Sequence, residues 1–405
     1  MDKLKYLWHF SLKSLKRHWG RSLFISLSVS LAVIIAVWVA AFFDGLNTQV
    51  EESVVNTNIG YYQVQTPSYF QTTDSTEPLI WTKEIEEELK KLGAISYSPE
   101  LVLDSNLTTP EGSATLIALG VLPEYHQKML SLKIQGEFVS QSDEKDVVIG
   151  AELAKIFKFH LGDEFVLNYQ DQKGELRSEL LRIKGIYQYG GSLFEKKYIY
   201  LHQKTWKSIF LSEPSQDELF NRIVVMTPSL KEEKTWRKSF QALKLRTWKD
   251  LNPEMAVVLD FHDGMINFFF VIIGVTILMT ILTPVRMLWE ERVSELKMMK
   301  IIGLSKKDFW KLGMVESFLM MSAALVVSSL SLAFILGIQS KTGIDFRFLN
   351  DGVSVERAGI KLPGIIFPQL YLKHLVQTFC FVFFVLGGSY AWSLYKTHQK
   401  IEGER

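Results

Sequence analysis

The sequence predicts a membrane protein of four transmembrane helices carrying one large extracytoplasmic domain of mixed α/β fold. Three observations predict it. Four long stretches carry no charged residue: Ser22–Phe43, Gly264–Val285, Ser317–Ser340 and Leu375–Tyr395. At 1.5 Å per residue, the 22 residues of the first make a helix of roughly 33 Å, enough to cross a bilayer core. The stretches are unevenly spaced, with about 220 polar, mixed-charge residues between the first and second. That insert alternates strand-like and helix-like runs and is long enough to bury a core of its own.

In chain order, residues 1–20 come first. Leu4, Trp8, Leu12, Leu15 and Trp19 recur at spacings of three and four with lysines between them, as an interfacial amphipathic helix requires; a cytoplasmic extension of the first span is the alternative. Residues 21–43 form the first span, too long in its apolar run for a cleaved signal peptide. Ser22, Ser26 and Ser30 fall on one face of it, followed by Ala36 and Ala40, a pattern that permits close helix packing.

Residues 44–263 are the extracytoplasmic domain. Thr82 is placed to cap a short helix with Ile85, Leu89 and Leu92 on its buried face and Gly93 as its stop. Strand-like runs are Tyr61–Gln65, Ala114–Leu119, Asp146–Ile149, Glu164–Tyr169, Leu180–Tyr187, Tyr198–Leu201 and Arg222–Met226. Helical runs are Ala151–Phe159, Gln203–Phe210 and Lys231–Leu243, and Asp171-Gln172-Lys173-Gly174 reads as a tight hairpin turn.

Residues 264–286 form the second span, which Pro284 should kink or loosen. A cytoplasmic connector follows at 287–310, then the third span at 311–340, a periplasmic loop at 341–373, the fourth span at 374–395 and a cytoplasmic tail at 396–405. Gly387-Gly388 suggests a close helix crossing, and Cys380, the only cysteine, reads as a small packing residue that excludes any disulfide within the chain. Basic residues set the orientation. Lys3, Lys5, Lys13, Lys16, Arg17 and Arg21 precede the first span. Arg286, Arg292, Lys297, Lys300, Lys306, Lys307 and Lys311 lie between the second and third. Both termini and the 287–310 connector are therefore expected in the cytoplasm, although the 341–373 loop carries five Lys or Arg of its own.

Charge and motifs narrow the function. The formal net charge is +1, so nothing points to nucleic acid. No phosphate-cradling G-x-x-x-x-G-K-[ST], H-E-x-x-H, Cys/His metal spacing or G-x-S-x-G occurs, so neither catalysis nor a metal or cofactor site is expected in this chain. Of the eight histidines, His9, His18, His262 and His374 flank the spans and read as interfacial. The His262-Asp263 pair is the one conceivable proton relay. Glu316, near the start of the third span, is an ionisable residue at a membrane boundary, expected to pair with Lys311 or with headgroups. The 287–310 connector places Val293, Leu296 and Lys300 on one helical face and Glu291 and Glu295 on a neighbouring one. Gly303 ends the helix and Ser305 is placed to cap the next element. Such a segment is either a docking surface for a cytoplasmic partner or a solvated connector.

These residues resemble a known family. Glu291-Arg292, Glu295-Leu296, Met299-Lys300, Ile302-Gly303 and Leu304-Ser305 are similar to the "E-R-x-x-E-I-x-x-[LM]-[KR]-x-[IL]-G-[AL]-[ST]" pattern of bacterial ABC-transporter permeases of the lipoprotein-releasing (LolC/LolE-type), MacB and FtsX group. Val147-Val148-Ile149-Gly150, Leu153-Ala154, Leu161-Gly162-Asp163 and Lys184-Gly185-Ile186 resemble its extracytoplasmic domain. Gly60–Gln65 with Ser68-Tyr69, and Thr342–Asp345, resemble the lipoprotein-releasing branch. Gln170–Ser178 departs from the longer, Pro-containing LolC-type hairpin that binds a periplasmic chaperone, and Tyr390–Arg405 lacks the tail prolines of the family.

The resemblance implies a bacterial inner-membrane protein whose periplasmic domain comprises porter-like and smaller subdomains. It implies a dimer with a second permease copy or a paralogue, and a separate cytoplasmic ATPase that binds ATP and Mg. Glu291, Arg292, Glu295, Leu296, Lys300 and Gly303 would form the coupling helix seated on that ATPase. Phe42, Phe43, Met265, Phe268 and Phe269 would line a cargo cavity for membrane lipid or lipoprotein acyl chains, with a periplasmic carrier as a further partner; plain packing or lipid-facing residues are the alternative. Mechanotransmission to an efflux duct or envelope hydrolase, and a sensor or enzyme acting through the outer domain alone, are the rival functions.

Overall fold

A computed structural model describes the chain except residues 1–7, 10, 12, 14–15, 18, 73–74, 130–132, 141–144, 189–191, 214, 229, 231–232, 292, 304, 351–355, 358–359, 362 and 404–405, together with some side chains inside its helices. Leu4, Leu12, Leu15 and Arg292 of the sequence reading lie outside the described residues. The chain divides into a helical unit (1–48, 259–348 and 365–405) and an α/β unit (49–258 and 349–364).

Ten helices serve the argument below: α1 Trp19–Val54, α2 Lys83–Lys91, α3 Ala151–Phe157, α4 Gln203–Phe210, α5 Glu233–Ser239, α6 Trp248–Leu251, α7 Pro253–Glu291, α8 Val293–Ile301, α9 Lys306–Thr342 and α10 Leu372–Gly403. Ten strands form the main sheet: β1 Tyr62–Gln65, β2 Ser96–Thr109, β3 Gly112–Val121, β4 Lys133–Gly136, β5 Asp146–Gly150, β6 Glu164–Gln170, β7 Leu176–Gln188, β8 Tyr198–His202, β9 Arg222–Met226 and β10 Lys244–Thr247.

Among the described residues four helices are long and apolar enough to cross a membrane, within Ser22–Ile59, Pro253–Thr276, Trp310–Thr342 and Leu375–Gln399. In the helical unit Ile25, Val29, Val33 and Val37 of α1 pack with Met320, Met321 and Ala324 of α9 and with Val382, Tyr390 and Leu394 of α10. The serine stripe faces α9. Ser30 Oγ–H donates to the Ala324 carbonyl at 3.0 Å, and Ser26 Oγ–H to that of Met320 at 3.5 Å. This is the close packing that small residues permit.

Several expectations for the spans need correction. Helix is assigned continuously through Pro284, which leaves the expected kink or loosening there untouched. Nothing lies within 4 Å of a Cβ built on Gly387 or Gly388. The close crossings are elsewhere: a Cβ on Gly274 would meet the Phe381 ring at 2.2 Å, and one on Gly313 the Leu394 side chain at 2.3 Å. Cys380 is exposed rather than packed. Glu316 is fully buried, and Lys311 is exposed.

In the α/β unit the long strand β2 is shared by two cores. Its first residues pair with β9, and β1 joins β9 to β10. Here Tyr62, Val64, Tyr97, Ile223 and Val225 pack against Leu89 of α2 and Trp236 of α5. The rest of β2 enters a ring of hydrogen-bonded strands that closes on itself in the order β2, β3, β8, β5, β7, β6 and back to β2. Closure leaves no free edge in that ring. Leu103, Leu107, Leu116, Val147, Phe165, Leu181 and Ile199 fill it with Leu153 and Phe157 of α3 and Trp206 of α4.

The alternating runs fold as strands within a few residues of their expected bounds, and α4 and β9 coincide with them. The hairpin turn forms as expected: Asp171 Oδ1 accepts from the N–H groups of Lys173 and Glu175 at 2.9 Å each, and Gly174 takes φ +81°. Thr82 occupies the N-cap of α2, but its side chain accepts no helix N–H. Of the run 231–243, residues 231–232 lie outside the described residues and α5 covers Glu233–Ser239. Two short strand pairs lie in the 341–373 stretch, Ile344–Asp345 with Ile365–Ile366 and Glu356–Arg357 with Ile360–Lys361.

Three glycines of the Val147–Ile186 region have direct causes. A Cβ on Gly150 would lie 2.1 Å from the Glu195 carbonyl oxygen, and one on Gly185 would lie 2.3 Å from that of Glu137. Gly162 takes φ +90°, which L side chains rarely adopt. Gly150→Ala should therefore destabilise the α/β unit by about 1–3 kcal/mol through a clash with main chain that cannot swing aside. Urea unfolding of the full chain checks this.

Candidate functional site

The five residues named for a cargo cavity sit on the parts of α1 and α7 nearest in sequence to the α/β unit. All five belong to the helical unit. Phe43 meets Phe42 edge-on at 5.5 Å between centroids and stacks on Phe269 at 6.0 Å, with His262 also at 6.0 Å. Phe268 lies 6.5 Å from Phe269 and is largely exposed. Met265 is half-buried on the same helix. Four of the five thus form one aromatic cluster, joined by Trp38 at 5.9 Å and Phe346 at 5.5 Å from Phe42. Burial of this much ring area in edge-on and stacked pairs is favourable in itself. His262 is half-buried, its Nδ1 2.9 Å from Asn47 Oδ1, so it spans α1 and α7; the Asp263 side chain lies outside the described residues.

The segment just before the fourth span supplies what sequence reasoning missed. The Gln369 N–H donates to the Ala41 carbonyl at 2.9 Å, and Thr48 Oγ1 lies 2.9 Å from the Tyr371 hydroxyl. A Cβ on Gly45 would sit 2.2 Å from the Phe367 carbonyl oxygen, so glycine is what lets this strap lie against α1. Trp38 Nε1–H donates to Gln339 Oε1 at 2.7 Å. Beside Phe346, side-chain hydrogen bonds from Arg347 to Asp345 hold that carboxyl down at about 2. No periodicity in 341–373 signals these contacts, because they are made by single residues in an irregular stretch.

At the other end of the helical unit, α7 is described as far as Glu291, Arg292 lies outside the described residues, and helix is described again from Val293. The short helix α8 carries Glu295, whose Oε1 lies 3.3 Å from Arg17 Nη1 in an exposed ion pair. The main chain of Leu296 and Lys300 is helical, while their side chains lie outside the description. Gly303 takes φ +109° with nothing within 4 Å of a built Cβ. Ser305 caps α9, accepting from the Asp308 N–H at 3.1 Å. Left-handed glycine and capped restart separate α8 from α9. Met298 and Ile301 on it, and Ile302 just after it, are exposed, the last two above 80%. Exposed apolar side chains on a charged helix suit a surface that docks.

A buried charged group in the α/β unit was not legible at all. Glu100 and His126 are fully buried, and Arg222 is 6% exposed. Arg222 Nε–H donates to Glu100 Oε2 at 2.9 Å, and Asn58 Nδ2–H reaches the same oxygen at 3.3 Å. His126 Nδ1 lies 3.4 Å from Oε1 and 3.2 Å from Ser98 Oγ. Glu100 stands opposite Arg222 in the β2–β9 register and opposite Val121 on β3, where β2 passes from one core to the other. Burial raises the Glu100 carboxyl, but the Arg222 charge and the His126 contact outweigh it and hold the group below its ordinary value. Among the described residues no cluster of His, Cys, Asp and Glu could hold a metal ion.

No curated protein sequence matches this chain. The periplasmic region of MacB from Actinobacillus actinomycetemcomitans is similar at 14% identity and a TM-score of 0.33, over 49% of this chain and 94% of that one. The extracellular domain of the noncanonic ABC-type transporter YknZ from Gram-positive bacteria is similar at 16% identity and a TM-score of 0.30, over 46% of this chain and 99% of that one. Residues 22–243 match the family of MacB-like periplasmic core domains, more than half of the chain. Its members are ABC permease components, generally non-catalytic, that work with a cytoplasmic ATPase, and the domain with four apolar helices marks an inner-membrane protein. The chain belongs to this family and is an ABC transporter permease of the MacB/FtsX/LolC type.

Proposed function

We propose that this permease couples ATP hydrolysis by a separate cytoplasmic ATPase, which binds the ATP and Mg, to movement of its periplasmic domain, and so extracts lipoprotein or other lipid-like cargo from the inner membrane. The observation that carries this reading is the aromatic cluster. Phe42, Phe43, Phe268 and Phe269 occupy α1 and α7, the same two helices whose chain leads into and out of the α/β unit. Displacing those helices would part rings that now touch and open an apolar cleft to acyl chains. The exposed α8 segment supports seating on the ATPase, with the termini and α8 in the cytoplasm and the permease paired with a second copy or a paralogue. Coupling of this kind needs two states of a rigid element and no channel.

A second reading is mechanotransmission without lipid cargo, to an efflux duct or an envelope hydrolase. The close packing of Phe43 by three rings and the short hairpin turn at 171–174 favour it. Photo-crosslinking residues at Phe43 and Phe268 in living cells separate the two. Extraction should yield adducts to lipoprotein that increase when the ATPase is trapped. Adducts to phospholipid alone at both positions would leave the second reading.

A further inference from the structure

The chain enters the α/β unit at the end of α1 and leaves it at the start of α7, and side chains tie these two passages together. The α1 end departs from helical geometry at Thr57 (φ −81°, ψ 36°) and at Asn58 (φ 62°, ψ 19°), within a π-type turn at Val55–Ile59. Asn58 pays for that conformation with its contact to the buried Glu100 carboxylate. On the other passage, the four-residue α6 lies between β10 and α7. A reciprocal cap fixes it: the Asp250 N–H donates to Thr247 Oγ1 at 3.3 Å, and the Thr247 N–H donates to Asp250 Oδ2 at 2.9 Å.

The cap presents Trp248, which is 1% exposed, to the first passage. Its backbone N–H donates to the Tyr61 carbonyl at 3.1 Å. Its indole Nε1–H donates to Glu51 Oε1, also at 3.1 Å. Tyr62 stands opposite Thr247 in the β1–β10 register, so main chain and side chain bind the same two segments. A buried indole donor on a carboxylate is a charge-assisted bond with one geometry. Within the helical unit the same two helices also meet through Asn47 with His262 and through Phe43 with Phe269; the latter is the contact that a cargo cleft would part, so the clamp acts at the Trp248 level alone. Positions 43, 47 and 51 are four apart, which places them on one face of α1.

We propose that Trp248 is a positioning residue that makes the outer ends of α1 and α7 a single two-pronged lever. Its bond to Glu51 holds the two ends at one separation through the transport cycle, so a displacement of either helix reaches the periplasmic domain as a displacement of both. The inference rests on the force-transmitting reading above and adds which motion is forbidden: the two prongs do not part at this level.

Spin labels at the exposed Glu52 and Glu254 of the full-length permease, alone and with its ATPase, measure that separation. The wild-type distribution should be narrow and identical with and without trapped ATP. Trp248→Phe keeps a ring in the pocket and removes the donor. It should shift the ratio of held to released separations by about tenfold, the worth of one hydrogen bond to a charged group. Glu51→Leu should do the same without disturbing the indole pocket, and Glu51→Gln, which keeps an acceptor, should restore the wild-type distribution. A packing role alone predicts that Glu51→Leu and Glu51→Gln behave alike, and that result overturns the proposal. So does a wild-type separation that changes by several ångströms on nucleotide trapping. Absence of any ATPase partner would sink the coupling reading instead, while the permease-alone distributions of the Glu51 and Trp248 variants still decide the clamp.

Discussion

Arg222→Met should lower the stability of the α/β unit by about 3–5 kcal/mol, the cost of leaving a buried charge without its partner. For a unit of this size that is a fall of roughly 10 °C or more in the melting temperature, read by thermal unfolding of the purified full chain. The reason lies in the placement of Glu100. It is fully buried on a strand shared by two cores, and Arg222 supplies both its countercharge and its shortest hydrogen bond. The His126 ring and Asn58 amide remain beside it in the variant but bring no permanent charge. Methionine fills most of the arginine volume, so little of the loss is a cavity.

The same substitution should invert a pH dependence. In the wild type the Glu100 carboxyl is held below its ordinary 4.5 because the Arg222 charge outweighs burial. A carboxyl depressed in the folded state gives stability that is present above the unfolded value and is lost as pH falls below it. Without Arg222, burial is the dominant influence and raises the group. A raised carboxyl gives stability at low pH that drains away as pH climbs from about 4.5 towards neutrality. Melting temperatures taken from pH 7 to pH 4.5 should therefore converge for the two proteins. Parallel curves would show that the pair is solvated and the assignment of its burial wrong.

The contrast between what the sequence revealed and what it hid follows from how each feature is encoded. The Asp171–Gly174 turn, α4 and β9 depend on local chemistry, so their residues announce them. The 14-residue β2, the longest strand, went unread. Pro99 interrupts its pattern, and Asp104 and Asn106 look like loop residues. Pro99 is tolerated because the β2–β3 ladder begins only at Glu100, so on that side its missing N–H is not called for. The Glu100 group was invisible for a related reason: a buried ion pair between residues 122 apart has no local signature. The candidate aromatic cluster could be named from four of its members, since they lie on predicted helices at a common level. Phe346 and the Gln369–Tyr371 strap could not, because their placement depends on tertiary contacts of an irregular stretch. The glycine pair at 387–388 shows the converse error, a small-residue signal with no close crossing in the chain.

Gly303→Pro should reduce permease-stimulated ATPase activity by tenfold or more while the ATPase still co-purifies. The residue sits at φ +109° between α8 and the Ser305 cap of α9, and proline fixes φ near −65°. The link must then rearrange, and α8 loses the orientation that its left-handed exit imposes. Side-chain bulk is not the cause, since nothing lies within 4 Å of a built Cβ. Gly303→Ala isolates the backbone strain, on the order of 1–2 kcal/mol, and should give an intermediate loss. Ser305→Ala removes only a cap worth about 1 kcal/mol at the start of a 37-residue helix and should cost least. Glu295→Ala breaks an exposed pair with Arg17 that contributes little to folding, so a large loss of stimulation there would have to come from contact with the ATPase. The ordering Pro, Ala, then Ser305→Ala is what an orientation-dependent seat requires. Equal, wild-type stimulation in all three would reduce α8 to a solvated connector, and the force would have to enter the permease elsewhere.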